Sequence, residues 1–101
     1  MTLKDLRAEL QRLADAETAL HAQRFFKTGP GQYGEGDLFL GVRVPEIRRL
    51  AKLGRALPLD QVARLLHSRW HEERLLALII LAGQYKSGGE DLRQRYLKGE
   101  V

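Results

Sequence analysis

The stretch Trp70-His71-Glu72-Glu73-Arg74-Leu75-Leu76-Ala77-Leu78-Ile79-Ile80-Leu81-Ala82-Gly83-Gln84-Tyr85-Lys86 decides the fold. Its centre, Leu75 to Ala82, is apolar nearly all round, the pattern of a helix packed on several sides. Ser68 is placed to cap this helix, and Gly88-Gly89 to end it. In the first turn, His71 and Glu72 read as capping and dipole-compensating groups, with Trp70 as a core anchor beneath the helix start. The apolar run is about half of the ~20 residues that cross a bilayer, so no membrane partner is expected.

Working outward, a further helix from Glu90 to about Lys98 would bury Leu92, Tyr96 and Leu97. Upstream, Pro45 suits the first turn of a helix, where its missing N–H is no loss. That helix would turn Ile47, Leu50 and Ala51 inward, with Arg48, Arg49, Lys52 and Arg55 outward. Pro58 stops it, and a short helix with Val62, Leu65 and Leu66 follows. At the N-terminus, Leu3, Leu6, Leu10 and Leu13 recur at helical spacing behind a Thr2–Asp5 cap. A second helix is read from Asp15 to Lys27, with Ala16, Ala19, Leu20 and Phe26 on one face. Between residues 29 and 37, four glycines and a proline leave room only for a loop. The Gly-rich connector is taken as residues 29–41.

No segment alternates as a strand does, so the chain is expected to be all-α, with about six helices. Glu46, Arg48, Leu50 and Ala51 recur 26 residues later as Glu72, Arg74, Leu76 and Ala77, and Asp60, Arg64 and Leu66 recur 31 later as Asp91, Arg95 and Leu97. Related helix–turn–helix units of this kind stack into an α-solenoid.

At 101 residues this is one domain or part of one, and 44% apolar with 30% charged residues places it in the globular class. The absence of cysteine excludes disulfides, zinc ribbons, iron–sulfur clusters and thiol nucleophiles. The start, Met1-Thr2-Leu3-Lys4-Asp5, lacks the layout of a signal peptide, and a cytoplasmic location is the expectation. The net charge is +4. Residues 38–74 carry the surplus, with eight basic against four acidic side chains, and seven of the eight are arginine. Arginine's planar fork suits phosphate and guanine edges.

Four constellations fail as chemistry. Gly29-Pro30-Gly31-Gln32-Tyr33-Gly34 fits G-x-G-x-x-G, but a helix precedes it and loop follows, so no helix N-terminus meets a pyrophosphate. His67 and His71 are four apart, yet a helix start falls between them and no third ligand stands at a matching offset, so no metal is expected. Ser68 and Ser87 lie in no nucleophile context. Glu35 and Asp37 lie on a loop, where no fixed acid/base spacing can be argued. No cofactor is implied. The remaining cluster is basic: Arg48, Lys52 and Arg55 fall at i, i+4 and i+7, a stripe that can follow a phosphate backbone. Arg43 lies just before it, and Arg49 lies off it, free to pair with a carboxylate.

The stretch Arg24-Phe25-Phe26-Lys27-Thr28-Gly29-Pro30-Gly31-Gln32-Tyr33-Gly34-Glu35-Gly36-Asp37, followed by Phe39-Leu40-Gly41-Val42-Arg43-Val44-Pro45-Glu46-Ile47-Arg48, resembles the DNA alkylation repair family, the AlkD-like glycosylases. Ser68-Arg69-Trp70-His71-Glu72-Glu73-Arg74-Leu75-Leu76-Ala77-Leu78 resembles the family's next block. The likeness runs in order over residues 3–97.

The resemblance implies a solenoid of HEAT-like repeats that wraps duplex DNA in a basic concave groove. It also implies hydrolytic release of N3- or N7-alkylated purines without metal or cofactor. Phe25 matches a position where the family can place an aromatic ring beside the lesion. Arg43 and Val44 match its DNA-facing turn, and Arg48, Lys52 and Arg55 its first concave helix.

The family's catalytic aspartate lies in a Trp-Asp-x-x-Asp-like segment that has no counterpart among these residues, whose one tryptophan is Trp70. The chain is therefore expected to be the N-terminal, DNA-binding part of such an enzyme. It would carry no catalytic residue, and its uncovered last helix would fray or self-associate. The alternative is a stand-alone helical-repeat module for a protein partner or for nucleic acid without sequence preference.

Overall fold

The computed structural model describes residues 1–26, 28–31, 36–88, 94–95 and 97–99. Among them the chain is helical throughout, with no strand beyond an isolated bridge between Leu38 and Trp70. The order is α1 (Leu3–Leu13), α2 (Ala16–Phe25), α3 (Val44–Leu53), α4 (Leu59–Leu66) and α5 (His71–Ser87). Most of the expected closing helix, Leu92 and Tyr96 included, lies outside the described residues, as does Gln32 to Glu35 of the glycine-rich loop.

Each helix start follows from local chemistry. The Thr2 hydroxyl accepts from the Asp5 N–H at 3.1 Å, and the Asp5 carboxylate accepts from the Thr2 N–H at 3.1 Å, a closed capping box. Asp15 caps α2 rather than belonging to it, accepting from the Thr18 N–H at 2.8 Å and the Thr18 hydroxyl at 2.6 Å. Pro45 stands in the first turn of α3, as its sequence position demands. Ser68 does not cap α5. The N-cap is Trp70, and the Ser68 hydroxyl instead accepts from the Trp70 N–H at 3.0 Å, tightening the turn before the helix.

The core joins Leu3, Leu6 and Leu10 of α1, Ile47, Leu50 and Ala51 of α3, Val62 and Leu65 of α4, and Leu76, Ala77, Ile80 and Leu81 of α5. Leu40 and Val42 enter it from the connector and Leu57 from the α3–α4 turn. Helix α5 packs on α1, α3 and α4. Its buried residues form one broad stripe, and Leu78 on the other side is 54% exposed, so one face of α5 stays open.

Helix α2 departs from expectation. Of its anticipated inner face only Ala19 is buried, while Leu20 and Phe26 are exposed. The first turn of α2 meets the connector through its backbone: a Cβ at Gly41 would lie 2.0 Å from the Asp15 carbonyl oxygen and 2.7 Å from the Ala19 nitrogen. Phe26 stands past the helix end, and its ring goes sideways, stacking on Phe39 at 5.3 Å and touching His71 at 5.1 Å.

At the 26-residue offset the apolar members of the internal repeat hold equivalent places, since Leu50 and Leu76 are fully buried and Ala51 and Ala77 are buried. At the 31-residue offset they do not: Leu66 packs on the core, whereas Leu97, expected to be buried, is 75% exposed. The polar members at the 26-residue offset differ too. Glu46 bonds Arg49 near the surface whereas Glu72 is buried, and Arg48 is exposed whereas Arg74 is tied down. Packing keeps the α3–α5 correspondence at the 26-residue offset, while its surface chemistry differs.

Candidate nucleic-acid interface

Arg48, Lys52 and Arg55 line one groove between α3 and α5, about 460 Å³ in volume. Its floor is Ala51, Ile79, Ile80 and Gly83, with Gln84 and Ser87 at the far wall. The three cations arrive by two routes. Arg48 and Lys52 project from α3 four residues apart, hence from one face. Arg55 is not on the helix, which ends at Leu53 with Gly54 as its cap. The Gln84 side-chain amide donates to the Arg55 carbonyl at 3.0 Å and the Leu57 carbonyl at 2.9 Å, holding the turn against α5. The expected stripe thus exists as a convergence of helix and turn.

Its electrostatics are uncompensated. Among the described residues no carboxylate lies within ion-pair distance of Arg48, Lys52 or Arg55, and none lines the groove. Arg49 behaves as its off-stripe position suggests. It donates to Glu46 at 3.0 Å and stands 4.0 Å from Glu9.

The stripe continues towards the start of α3, where Val44 is 46% exposed and Arg43 forms the N-cap without a side-chain bond. Val44, Arg48 and Lys52 stand at i, i+4 and i+8 on one side of α3. They span about 12 Å of helix rise, the axial length of roughly three to four nucleotides of one DNA strand.

Arg43 and Val44 also border a second cleft, of about 710 Å³, walled by Phe26, Phe39, Val42, Pro45, His71 and Leu75 with Glu72 at its base. Phe25 lines neither cavity. It stands 80% exposed beside Phe26, which lines the second cleft, with the two rings edge-on and their centres 5.1 Å apart.

Three interactions near this face have no signature in the sequence. Glu72 is 3% exposed, and its carboxylate accepts the backbone N–H groups of Leu40 at 2.9 Å, Gly41 at 2.8 Å and Val42 at 3.2 Å. It is no simple dipole-compensating group. Charge-assisted bonds to three amides offset its desolvation, and leaving those amides unpaired would cost about 1–3 kcal/mol each. Glu73, equally buried, accepts from Arg7 of α1 at 3.2 Å.

Asp37 is no loosely held loop carboxylate. It is bonded by the Arg74 guanidinium and lies 3.5 Å from the His71 Nδ1, while Arg74 also donates to the Ser68 carbonyl at 2.9 Å. Its supposed partner, Glu35, lies outside the described residues.

The described residues thus form an all-helical body in which Arg48, Lys52 and Arg55 share a groove with no acidic partner among them. In comparison of the sequence with known families, the profile described as DNA alkylation repair enzyme matches residues 6–99. The chain belongs to that family. Membership assigns it to DNA alkylation repair in general and implies a DNA-related partner. Comparisons with curated proteins and with solved structures returned no match.

Proposed function

We propose that this chain grips alkylated duplex DNA through the α3–α5 groove, as the DNA-binding part of a glycosylase that releases N3- or N7-alkylated purines. On this reading residues 1–101 form part of a HEAT-like repeat domain, with 29–41 as its connector. The observation that carries it is the convergence of Arg48, Lys52 and Arg55 on one groove with no acidic partner among the described residues. Arg43 and Val44 extend the contact from the α3 start, and Phe25 meets the duplex from beside Phe26. The side chains in the groove bind; none of them is a carboxylate suited to N-glycosidic chemistry.

Salt-dependent titration of a fluorescent duplex tests the assignment. Each phosphate contact contributes about 0.9 to the log–log salt slope. Arg48→Ala with Lys52→Ala should therefore flatten that slope by up to about 2 at unchanged helicity, because alanine is a good helix former. Identical slopes for the two proteins would remove the groove from the interface and favour a module with a protein partner.

A further inference from the structure

We infer that Glu72 is a positioning residue for the turn that opens α3: by taking three successive backbone N–H groups, its carboxylate fixes where Arg43 and Val44 stand. The inference rests on the proposal that these two residues face DNA.

Successive N–H groups of an extended chain point to opposite sides. Three can meet one carboxylate only if the backbone bends back on itself. Gly41, at φ +86°, supplies that bend. Concavities of amides such as this usually hold an external anion. Here α5 fills the concavity with its own buried carboxylate, which stands 30 to 32 residues along the chain from the amides it binds.

Pro45 sets where α3 begins, but the start has no side-chain cap, since its N-cap, Arg43, makes no side-chain bond to the helix. On the other side, the Asp15 N–H donates to the Leu40 carbonyl at 3.0 Å, and the Gly41 backbone presses on Asp15 and Ala19. The turn is thus referenced to the core helix α5 and to the start of α2. Glu72 itself is closed to substrate, because both carboxylate oxygens are engaged by the backbone.

Amide exchange on the unaltered chain gives the first readout. Leu40, Gly41 and Val42 lie outside any helix, yet their N–H groups should exchange as slowly as those in the core of α5. Fast, loop-like exchange at the three overturns the inference without any variant having to fold. Glu72→Gln keeps the side chain's size but sets an NH₂ donor against amides that need an acceptor. It should speed exchange at these positions and weaken duplex binding about threefold to tenfold.

A double-mutant cycle then separates positioning from general loosening. Arg43→Ala should weaken binding by the unaltered chain but add little to Glu72→Gln, whereas Lys52→Ala should weaken both alike. Equal Arg43→Ala effects in both backgrounds overturn the inference and leave the groove proposal intact. If Arg43→Ala has no effect on the unaltered chain while the three amides remain protected, the DNA-facing assignment of the turn falls. The inference then falls with it, through that assignment and not through the grip of Glu72.

Discussion

Gly41 stands so close to Asp15 that a Cβ at position 41 would lie 2.0 Å from the Asp15 carbonyl oxygen. The same Cβ would lie 2.7 Å from the Ala19 nitrogen, so the obstacle is backbone on two sides. Gly41 also sits at φ +86°, where an L side chain costs about 1–2 kcal/mol before any collision. Gly41→Ala should therefore lower the melting temperature by well over 5 °C, since about 1 kcal/mol shifts a domain of this size by some 4–8 °C. Gly36, at φ +81° with nothing within 4 Å, is the control. Gly36→Ala should show the backbone cost alone. Equal melting shifts for the two variants would mean that α2 does not lie against the turn as described.

Phe25 separates binding from stability. With 80% of its surface exposed and only an edge contact to Phe26, its removal takes little from the core. Phe25→Ala should leave stability within about 0.5 kcal/mol. Duplex affinity should fall about fivefold, or ~1 kcal/mol, if the ring stacks against the nucleic acid. A melting shift larger than the binding loss would assign Phe25 to packing instead.

How much of this was legible in the sequence depends on the reach of each interaction. The Thr2–Asp5 box, the α3 start at Pro45 and the Arg49–Glu46 pair are all decided within three residues or one helical turn. Sequence spacing reads such features well. Arg55 shares a groove with Arg48 and Lys52, but not as the i+7 member of one helix face. Gly54 ends α3 before it, and Gln84, 29 residues away, holds it in line. The role of Glu72 is invisible in the sequence because its partners are backbone N–H groups, which every residue but proline carries and no residue type marks. The α2 pattern misleads because Phe26 lies past the helix end and Leu20, within it, is exposed with no element among the described residues covering its side. The six candidate contacts divide accordingly: Arg48, Lys52 and Arg55 in the groove, Arg43 and Val44 at the neighbouring cleft, and Phe25 outside both, exposed against Phe26.

Acid should loosen the caps of the N-terminal helices. The Thr2 N–H and hydroxyl hold the Asp5 carboxyl below its ordinary value, the Thr18 hydroxyl and N–H do the same for Asp15, and the Arg12 guanidinium does so for Glu9. A carboxylate with a lowered value in the folded chain contributes stability that is complete above its unfolded value, about 4. That contribution is lost as pH falls through the lower, folded value. Melting temperature should therefore decline below about pH 4, with the Thr18 amide losing exchange protection early. Asp15→Asn keeps a capping oxygen but cannot titrate, and should flatten the decline. The same acid slope in that variant would show that the cap contributes nothing to it.

Base release should be absent even where binding is present. An N7-methylguanine already carries positive charge, so the remaining barrier lies in the cationic sugar that forms as the base departs. Stabilising that sugar takes a negative or strongly polar group beside it. The groove offers the opposite, with Arg48, Lys52 and Arg55 around an apolar floor. Among the described residues, the carboxylates set between these helices are already engaged: Glu72 by three amides, Glu73 by Arg7, Asp37 by Arg74, Glu46 by Arg49 and Asp15 by Thr18. Freeing any of them would cost bonds that hold the fold or the α3 surface together. Methylated duplex DNA incubated with this chain should accordingly be retained in a mobility shift while losing N7-methylguanine no faster than it does spontaneously. Release above that rate, abolished by heating the protein, would show that one of these carboxylates leaves its partner to act on the sugar.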